Sequence, residues 1–106
     1  MGKRKNLHIY LESWVYKLDL STDSSAITGV RLRDKQGVEM VLHATHEVLL
    51  CAGAVDSPRL LLLSGIGPKA DLEALGIPCK RNLRGVGENL VDHPVRCDGA
   101  VPARVG

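Results

Sequence analysis

The feature that most restricts how this chain can fold is the junction between an apolar run, Glu47 to Cys51, and the small residues Ala52-Gly53-Ala54. After Glu47 the run is continuously apolar rather than alternating, which is typical of a strand covered on both faces, as in a parallel sheet. We therefore predict a parallel-type strand here, with Cys51 as a small buried residue. The bare backbone that follows permits two interpretations: close packing of strand against helix, or close approach of a ligand.

A helix is predicted directly after this junction. Ser57 is a favourable N-cap, and Pro58 suits the first helical position because its missing N–H has no intrahelical partner there. The leucines at 60–63 give the helix an apolar face, and Gly65 is expected to end it.

Alternating segments upstream predict an antiparallel meander. Alternation occurs from Asn6 to Leu11 and again from Trp14 to Leu20. Ile27 to Arg33 and Val38 to Ala44 then flank Asp34-Lys35-Gln36-Gly37, a four-residue connection in which glycine allows the turn of a hairpin. The last three alternating segments form the three predicted strands of the meander.

The remainder of the chain predicts one further helix and an irregular end. Lys69 to Leu75 has the character of a short helix closed by Gly76. Prolines and glycines are frequent after it, which indicates extended or turning chain. The fold class predicted from the residues is mixed α/β.

Composition excludes several classes of function. The chain has 106 residues and a net charge of +2, from 14 basic and 12 acidic residues. This balance offers no strong basic field, so we predict no nucleic-acid partner. Three cysteines without metal-type spacing argue against a metal site and a disulfide scaffold and indicate a reducing compartment. No apolar stretch reaches the roughly 18 residues that span a bilayer, so we predict a cytoplasmic protein without membrane association.

Two polar motifs contain side chains of the types that act in catalysis. Ser64 lacks the glycine pattern of a nucleophile elbow, so its hydroxyl is expected to bond to the local backbone. Asp92-His93-Pro94 could pair a carboxylate with an imidazole base, but adjacent residues rarely aim their side chains at each other. We expect this motif to hold an irregular connection in place.

A longer series of motifs resembles the glucose-methanol-choline (GMC) oxidoreductases, which are FAD enzymes. Residues 6–96 follow the family pattern without obvious gaps, and so many matches in order are more specific than one glycine motif. The motifs are Ala52-Gly53-Ala54 with Ser57-Pro58, then Ser64-Gly65-Ile66-Gly67-Pro68, Leu75-Gly76-Ile77-Pro78, and Leu83 to Pro94.

The resemblance implies a fold and a domain organisation. In the family, a meander of this kind is inserted before the last strand of a Rossmann-like FAD-binding domain. Residues 1–92 are accordingly expected to be part of that domain, and residues 93–106 to begin the connection to the substrate domain. The chain then corresponds to an internal fragment of the enzyme, and alone it is expected to be inactive.

The resemblance also implies five cofactor contacts. Val15 occupies the place of a valine whose backbone N–H and C=O bind the adenine edge of FAD. Ala52 and Gly53 match small residues that face the adenosine and the pyrophosphate. Ser57, at the expected helix start, and Asn89 are the remaining predicted contacts. The catalytic histidine of the family belongs to a segment outside this match, so no catalytic residue is assigned.

The function implied is hydride transfer to FAD from the CH–OH group of a small-molecule alcohol in the complete enzyme, with no metal partner. Two alternatives stay open at this point. One is a non-enzymatic binding module that pairs through exposed strand edges and the leucine surface. The other is a relative that keeps FAD but acts as a lyase on cyanohydrins.

Overall fold

Two sheets and two helices make up residues 4–94, the part of the chain that the computed structural model describes. The elements in chain order are β1 (Trp14–Leu20), β2 (Ile27–Arg33), β3 (Glu39–His43), α1 (Gly53–Leu63), β4 (Ile66–Gly67), α2 (Lys69–Ala74) and β5 (Arg81–Asn82). Strands β1, β2 and β3 form one antiparallel sheet in that order, and β4 and β5 form a parallel pair. The predicted mixed α/β class is confirmed.

The predicted meander and its tight connection are also confirmed. The carboxylate of Asp34 accepts hydrogen bonds from the main-chain N–H groups of Gln36 and Val38, at 2.9 and 2.8 Å. The N–H of Gly37 bonds to the Asp34 carbonyl at 3.0 Å. The Asp34 side chain thus accepts hydrogen bonds from main-chain N–H groups that have no strand partner at the turn, as aspartate does in an Asx-turn.

Strand β1 lies at the edge of the meander and contains a β-bulge. Val15 is opposite Leu32 and Lys17 is opposite Arg31, which leaves Tyr16 as the extra residue. A bulge bends the strand and changes the direction of its backbone groups. The other edge of β1 faces helix α1 instead of a further strand.

Helix α1 begins at Gly53, five residues before the predicted first helical residue Pro58, with Ala52 as N-cap. The prediction of Ser57 as N-cap was wrong. The Ser57 hydroxyl instead accepts a hydrogen bond from the Ala52 N–H at 3.0 Å, so it satisfies an N-terminal donor from inside the helix. Pro58 consequently lies within the helix. The predicted ends of both helices are confirmed, since Gly65 and Gly76 follow the cap residues directly.

The predicted strand at Glu47–Cys51 is not part of either sheet. Within residues 4–94 no strand runs beside it, and a strand cannot form without a neighbour for its N–H and C=O groups. The segment is correspondingly only partly covered: Leu49 is 77% exposed, and Cys51, predicted to be buried, is exposed, whereas Val48 and Leu50 are half-buried. The parallel pairing occurs instead between β4 and β5. Asn6 to Leu11 also lies outside the strands.

The core lies between the meander, helix α1 and the short parallel pair. Its most deeply buried apolar side chains are Leu18, Leu32, Leu60, Ile66 and Leu72. Residues 95–106 lie outside the described residues, so the expected division of the chain at residue 92 stays a prediction.

Candidate functional site

A groove of about 230 Å³ runs between the start of β1 and one face of α1. It is the place where the structure brings two of the predicted contacts together, because Val15 contributes to one wall and Ala52 to the other. The full lining is Ser13, Trp14, Val15, Tyr16, Ala52, Asp56, Arg59, Leu60 and Leu63. We call it the β1–α1 groove.

Val15 is placed where main-chain recognition is possible. Its side chain is 40% exposed, and it directly precedes the bulged residue Tyr16 on the edge strand. Edge strands present backbone donors and acceptors that are not used by a neighbouring strand. The Leu18 N–H shows such a group in use, because it bonds outside the sheet to the Ser64 hydroxyl.

Gly53 leaves open space at the start of α1. Its φ is +92°, and a β-carbon built there would meet no atom within 4 Å. The small residues were predicted to allow either close packing of strand against helix or close approach of a ligand. Close packing against the described residues does not explain the glycine at this position. Backbone conformation and open surface do explain it.

Ser57 and Asn89 line a different groove, of about 580 Å³, on another face of α1. We call it the α1–tail groove, because its second wall is the segment 85–91. Asn89 itself has a left-handed backbone with φ of +56°. The five predicted contacts thus fall into two pairs, with Gly53 lining neither groove.

Both grooves reach the amino end of α1. Ala52 lines the β1–α1 groove and Ala54 lines the α1–tail groove, and Gly53 lies between these two residues in the sequence. Main-chain N–H groups at a helix start are not used inside the helix, and they favour negative charge. An extended ligand with an anionic centre would fit this arrangement, with its charged part at the helix end and its two arms in the grooves.

One cluster at the site was missed from the sequence. The Arg59 guanidinium lies 5.5 Å from the centre of the Trp14 ring and 3.4 Å from the Asp56 carboxylate. The spacing of Asp56 and Arg59, three residues apart on a helix, was a visible signal. The contact with Trp14 joins distant parts of the chain and had no local signal.

The other polar motifs have local roles in the structure. The Ser64 hydroxyl bonds to the Leu60 carbonyl, as predicted, and also accepts a bond from β1. The Asp92 carboxylate accepts a hydrogen bond from the main-chain N–H of His93 at 2.8 Å. Among residues 4–94 no three His, Cys, Asp or Glu side chains gather as metal ligands. In the same part of the chain, neither helix has the length and apolar character needed to cross a membrane.

Comparison with known proteins identifies the group to which this geometry belongs. The sequence profile of the GMC oxidoreductases matches residues 1–95. The chain is 49% identical over 90 residues to the 5-(hydroxymethyl)furfural oxidase of Methylovorus sp., covering 85% of this chain and 16% of that protein. It is 45% identical over 91 residues to the oxygen-dependent choline dehydrogenase of Staphylococcus saprophyticus, covering 86% of this chain and 16% of that protein.

A solved structure gives the same result. A formate oxidase of Aspergillus oryzae, studied for modification of its FAD, superimposes with a TM-score of 0.74 at 36% identity. The match covers 77% of this chain and 14% of that one. The chain spans 14% to 16% of the length of these three relatives. These matches confirm FAD, the cofactor predicted from the sequence. Because the family profile spans nearly all of its residues, the chain belongs to the GMC oxidoreductases.

Proposed function

We propose that this chain supplies part of the adenosine side of the FAD site in an FAD-dependent oxidoreductase that acts on the CH–OH group of small alcohols. The observation that carries the proposal is the shared β1–α1 groove. Val15 and Ala52, which are 37 positions apart in the sequence, line the same groove, and the open backbone of Gly53 adjoins it.

Each predicted contact has a physical role in this proposal. Val15 would bind the adenine edge through its main-chain N–H and C=O, whose fixed separation suits a neighbouring donor and acceptor on the base. Ala52 and Gly53 would let the adenosine and pyrophosphate approach the start of α1. Ser57 and Asn89, in the α1–tail groove, would contact the part of the cofactor beyond the pyrophosphate.

The residues of this chain bind and orient; they do not carry the chemical step. Bound FAD supplies the hydride acceptor for oxidation of the alcohol carbon. None of the residues in the two grooves is assigned to proton transfer from the substrate hydroxyl. Removing a contact residue should therefore lower the fraction of enzyme that holds FAD. The enzyme that retains FAD should still oxidise the alcohol at an unchanged rate.

The relatives indicate the class of substrate. Choline and 5-(hydroxymethyl)furfural, which name two of them, both contain a hydroxyl group. Formate, which names the third, does not contain an alcohol carbon, so membership of the family alone does not define the substrate. An alcohol is the proposal that fits the larger share of these relatives.

A hybrid enzyme tests the proposal directly. The matched segment of the Methylovorus oxidase, 90 residues long, would be replaced by the matching residues of this chain. We expect the hybrid to purify with bound FAD, and 5-(hydroxymethyl)furfural to bleach the flavin absorbance without oxygen. The Staphylococcus choline dehydrogenase provides a second host, with choline as the reductant.

The outcomes separate the alternatives. Folded hybrids without FAD in both hosts would contradict the proposed adenosine contacts and favour a binding module. Hybrids that hold FAD but are not reduced by the alcohol of their host would support the proposed FAD contacts and contradict the proposal that these residues hold FAD in an orientation that permits hydride transfer. The unmodified hosts, purified in parallel, define full occupancy and full bleaching.

A further inference from the structure

Ser64 is the one polar residue among residues 4–94 whose side chain is deeply buried, with 1% of its surface exposed. Its hydroxyl donates a hydrogen bond to the Leu60 carbonyl at 2.6 Å and accepts one from the Leu18 N–H at 2.8 Å. The second bond joins residues 46 positions apart. A hydroxyl has one proton to donate, so this donor and acceptor arrangement is fixed by its two partners.

The end of helix α1 explains why the hydroxyl is available to the Leu60 carbonyl. The main-chain N–H of Ser64 bonds to the Leu61 carbonyl at 3.0 Å, which tightens the last turn. The Leu60 carbonyl is then one of the helix-end acceptors that need a partner from outside the regular helix pattern. The Ser64 side chain supplies that partner.

One partner of the hydroxyl lines the β1–α1 groove, and the other lies on the strand whose start forms the opposite wall. Leu60 lines the groove on the helix side. Leu18 lies three residues after Val15 on β1, beyond the bulge. One buried oxygen therefore connects the strand that carries Val15 to the helix that follows Ala52.

We propose that Ser64 is a positioning residue for the adenosine side of the cofactor site, because it fixes the distance between β1 and α1. The inference rests on the proposed function. Ser64 itself does not line either groove, so it acts through the strand and the helix and does not contact the ligand. Loss of the hydroxyl leaves the Leu18 N–H and the Leu60 carbonyl without this partner in a buried place, and the walls must shift or admit water.

Two substitutions in the hybrid enzyme test this role. Ser64→Ala removes the hydroxyl, and Ser64→Cys keeps a similar volume with a much weaker donor and acceptor. The control is Leu72→Ala, because Leu72 is 0% exposed but lines neither groove. The measurements are the dissociation constants of the apoprotein for FAD and for ADP, together with the thermal midpoint of the apoprotein.

The expected result is a separation of affinity from stability. Both Ser64 variants should bind FAD and ADP up to roughly tenfold more weakly, the effect reached when the free energy of about one buried hydrogen bond is needed to hold the groove in its binding geometry. Leu72→Ala should lower the thermal midpoint at least as much, since it creates a cavity in the core, yet should keep both affinities within about twofold.

Two results would overturn the inference. One is native affinity for FAD in the folded Ser64 variants. The other is an equal loss of affinity in Leu72→Ala, which would mean that Ser64 acts only through general stability. If the unsubstituted hybrids fold without binding FAD, the proposed function fails and the inference fails with it. If the unsubstituted hybrid binds FAD and the Ser64 variants bind it with the same affinity, the inference fails and the proposed function stands.

Discussion

Gly53 shows how a single residue can be tested against an internal control. Gly37 has nearly the same φ, +85° against +92° for Gly53, and neither has an atom within 4 Å of an added β-carbon. Gly37 lies in the turn between β2 and β3, whereas Gly53 lies between Ala52 and Ala54, which line one groove each. The two positions therefore share a left-handed φ and open space and differ in whether a groove lies beside them.

We predict that Gly53→Val and Gly37→Val in the hybrid enzyme will have similar effects on stability and different effects on cofactor content. Each should lose about 1–2 kcal/mol, the cost of a left-handed backbone for a residue with a β-carbon. Only Gly53→Val should purify with depleted FAD, because its side chain occupies the space of the ligand. Flavin absorbance per protein measures the difference, and equal occupancy in the two variants would count against the assigned contact.

At the same scale, sequence reasoning found Val15 and Ala52 because a family resemblance placed them, and the structure shows them in one groove. It missed Arg59 stacked on Trp14, and it missed the bond from Ser64 to β1. Both contacts connect segments more than 40 positions apart in the sequence. Spacing rules describe neighbours on one helix or strand, so they carry no information on such pairs.

At the scale of the elements, those whose contacts are between neighbouring parts of the sequence could be predicted well. The meander and its Asp34 connection depend on alternation and turn residues, which are visible in the sequence. The helix start was misplaced because the hydroxyl of Ser57 satisfies the Ala52 N–H from inside the helix instead of ahead of it. The strand predicted at Glu47–Cys51 is not formed, because no strand runs beside it among residues 4–94. The apolar run indicates burial on both faces but does not show which segment would be its neighbour.

The turn between β1 and β2 has an electrostatic signature that can be measured. The hydroxyl of Ser21, then that of Ser25 and the Ser25 N–H, donate hydrogen bonds to the Asp23 carboxylate. These bonds lower the pKa of Asp23 from 3.8 to about 2, since they favour the charged form.

This gives a pH prediction for the turn. Because the pKa of Asp23 is lower in the folded chain, its contribution to stability is present above the unfolded value of 3.8 and is lost as the pH falls toward about 2. A carbon-detected NMR titration of the side-chain carboxyl should show a midpoint near 2. Ser21→Ala should move the midpoint upward, since it removes the first contributor, and an unchanged midpoint would contradict the assigned cause.

For the whole molecule, the most telling property is the amount of apolar surface left uncovered. Leu11 is 80% exposed, Leu49 77% and Val91 81%. Fifteen large apolar residues among residues 4–94 are exposed, and exposure on this scale indicates surfaces that other protein atoms cover. The relatives are about five to six times longer, since about 90 matched residues make up only 14% to 16% of each, so they contain many more residues that could do so.

We therefore predict that the 106-residue chain, studied by itself, binds FAD no tighter than micromolar. It offers only some of the contacts that FAD needs, and ordering the rest of the ligand without partners costs binding energy. Isothermal titration with FAD tests this, with the hybrid enzyme measured alongside. A submicromolar dissociation constant for the isolated chain would show that these residues alone are a sufficient site.

The position of the two grooves on different faces of α1 has a consequence for the shape of a ligand that enters both. Asp56, Leu60 and Leu63 line one groove and are absent from the lining of the other. A molecule that reaches both must therefore change direction near the amino end of the helix. A bent or hinged molecule can do this, whereas a straight rod fills only one groove at a time.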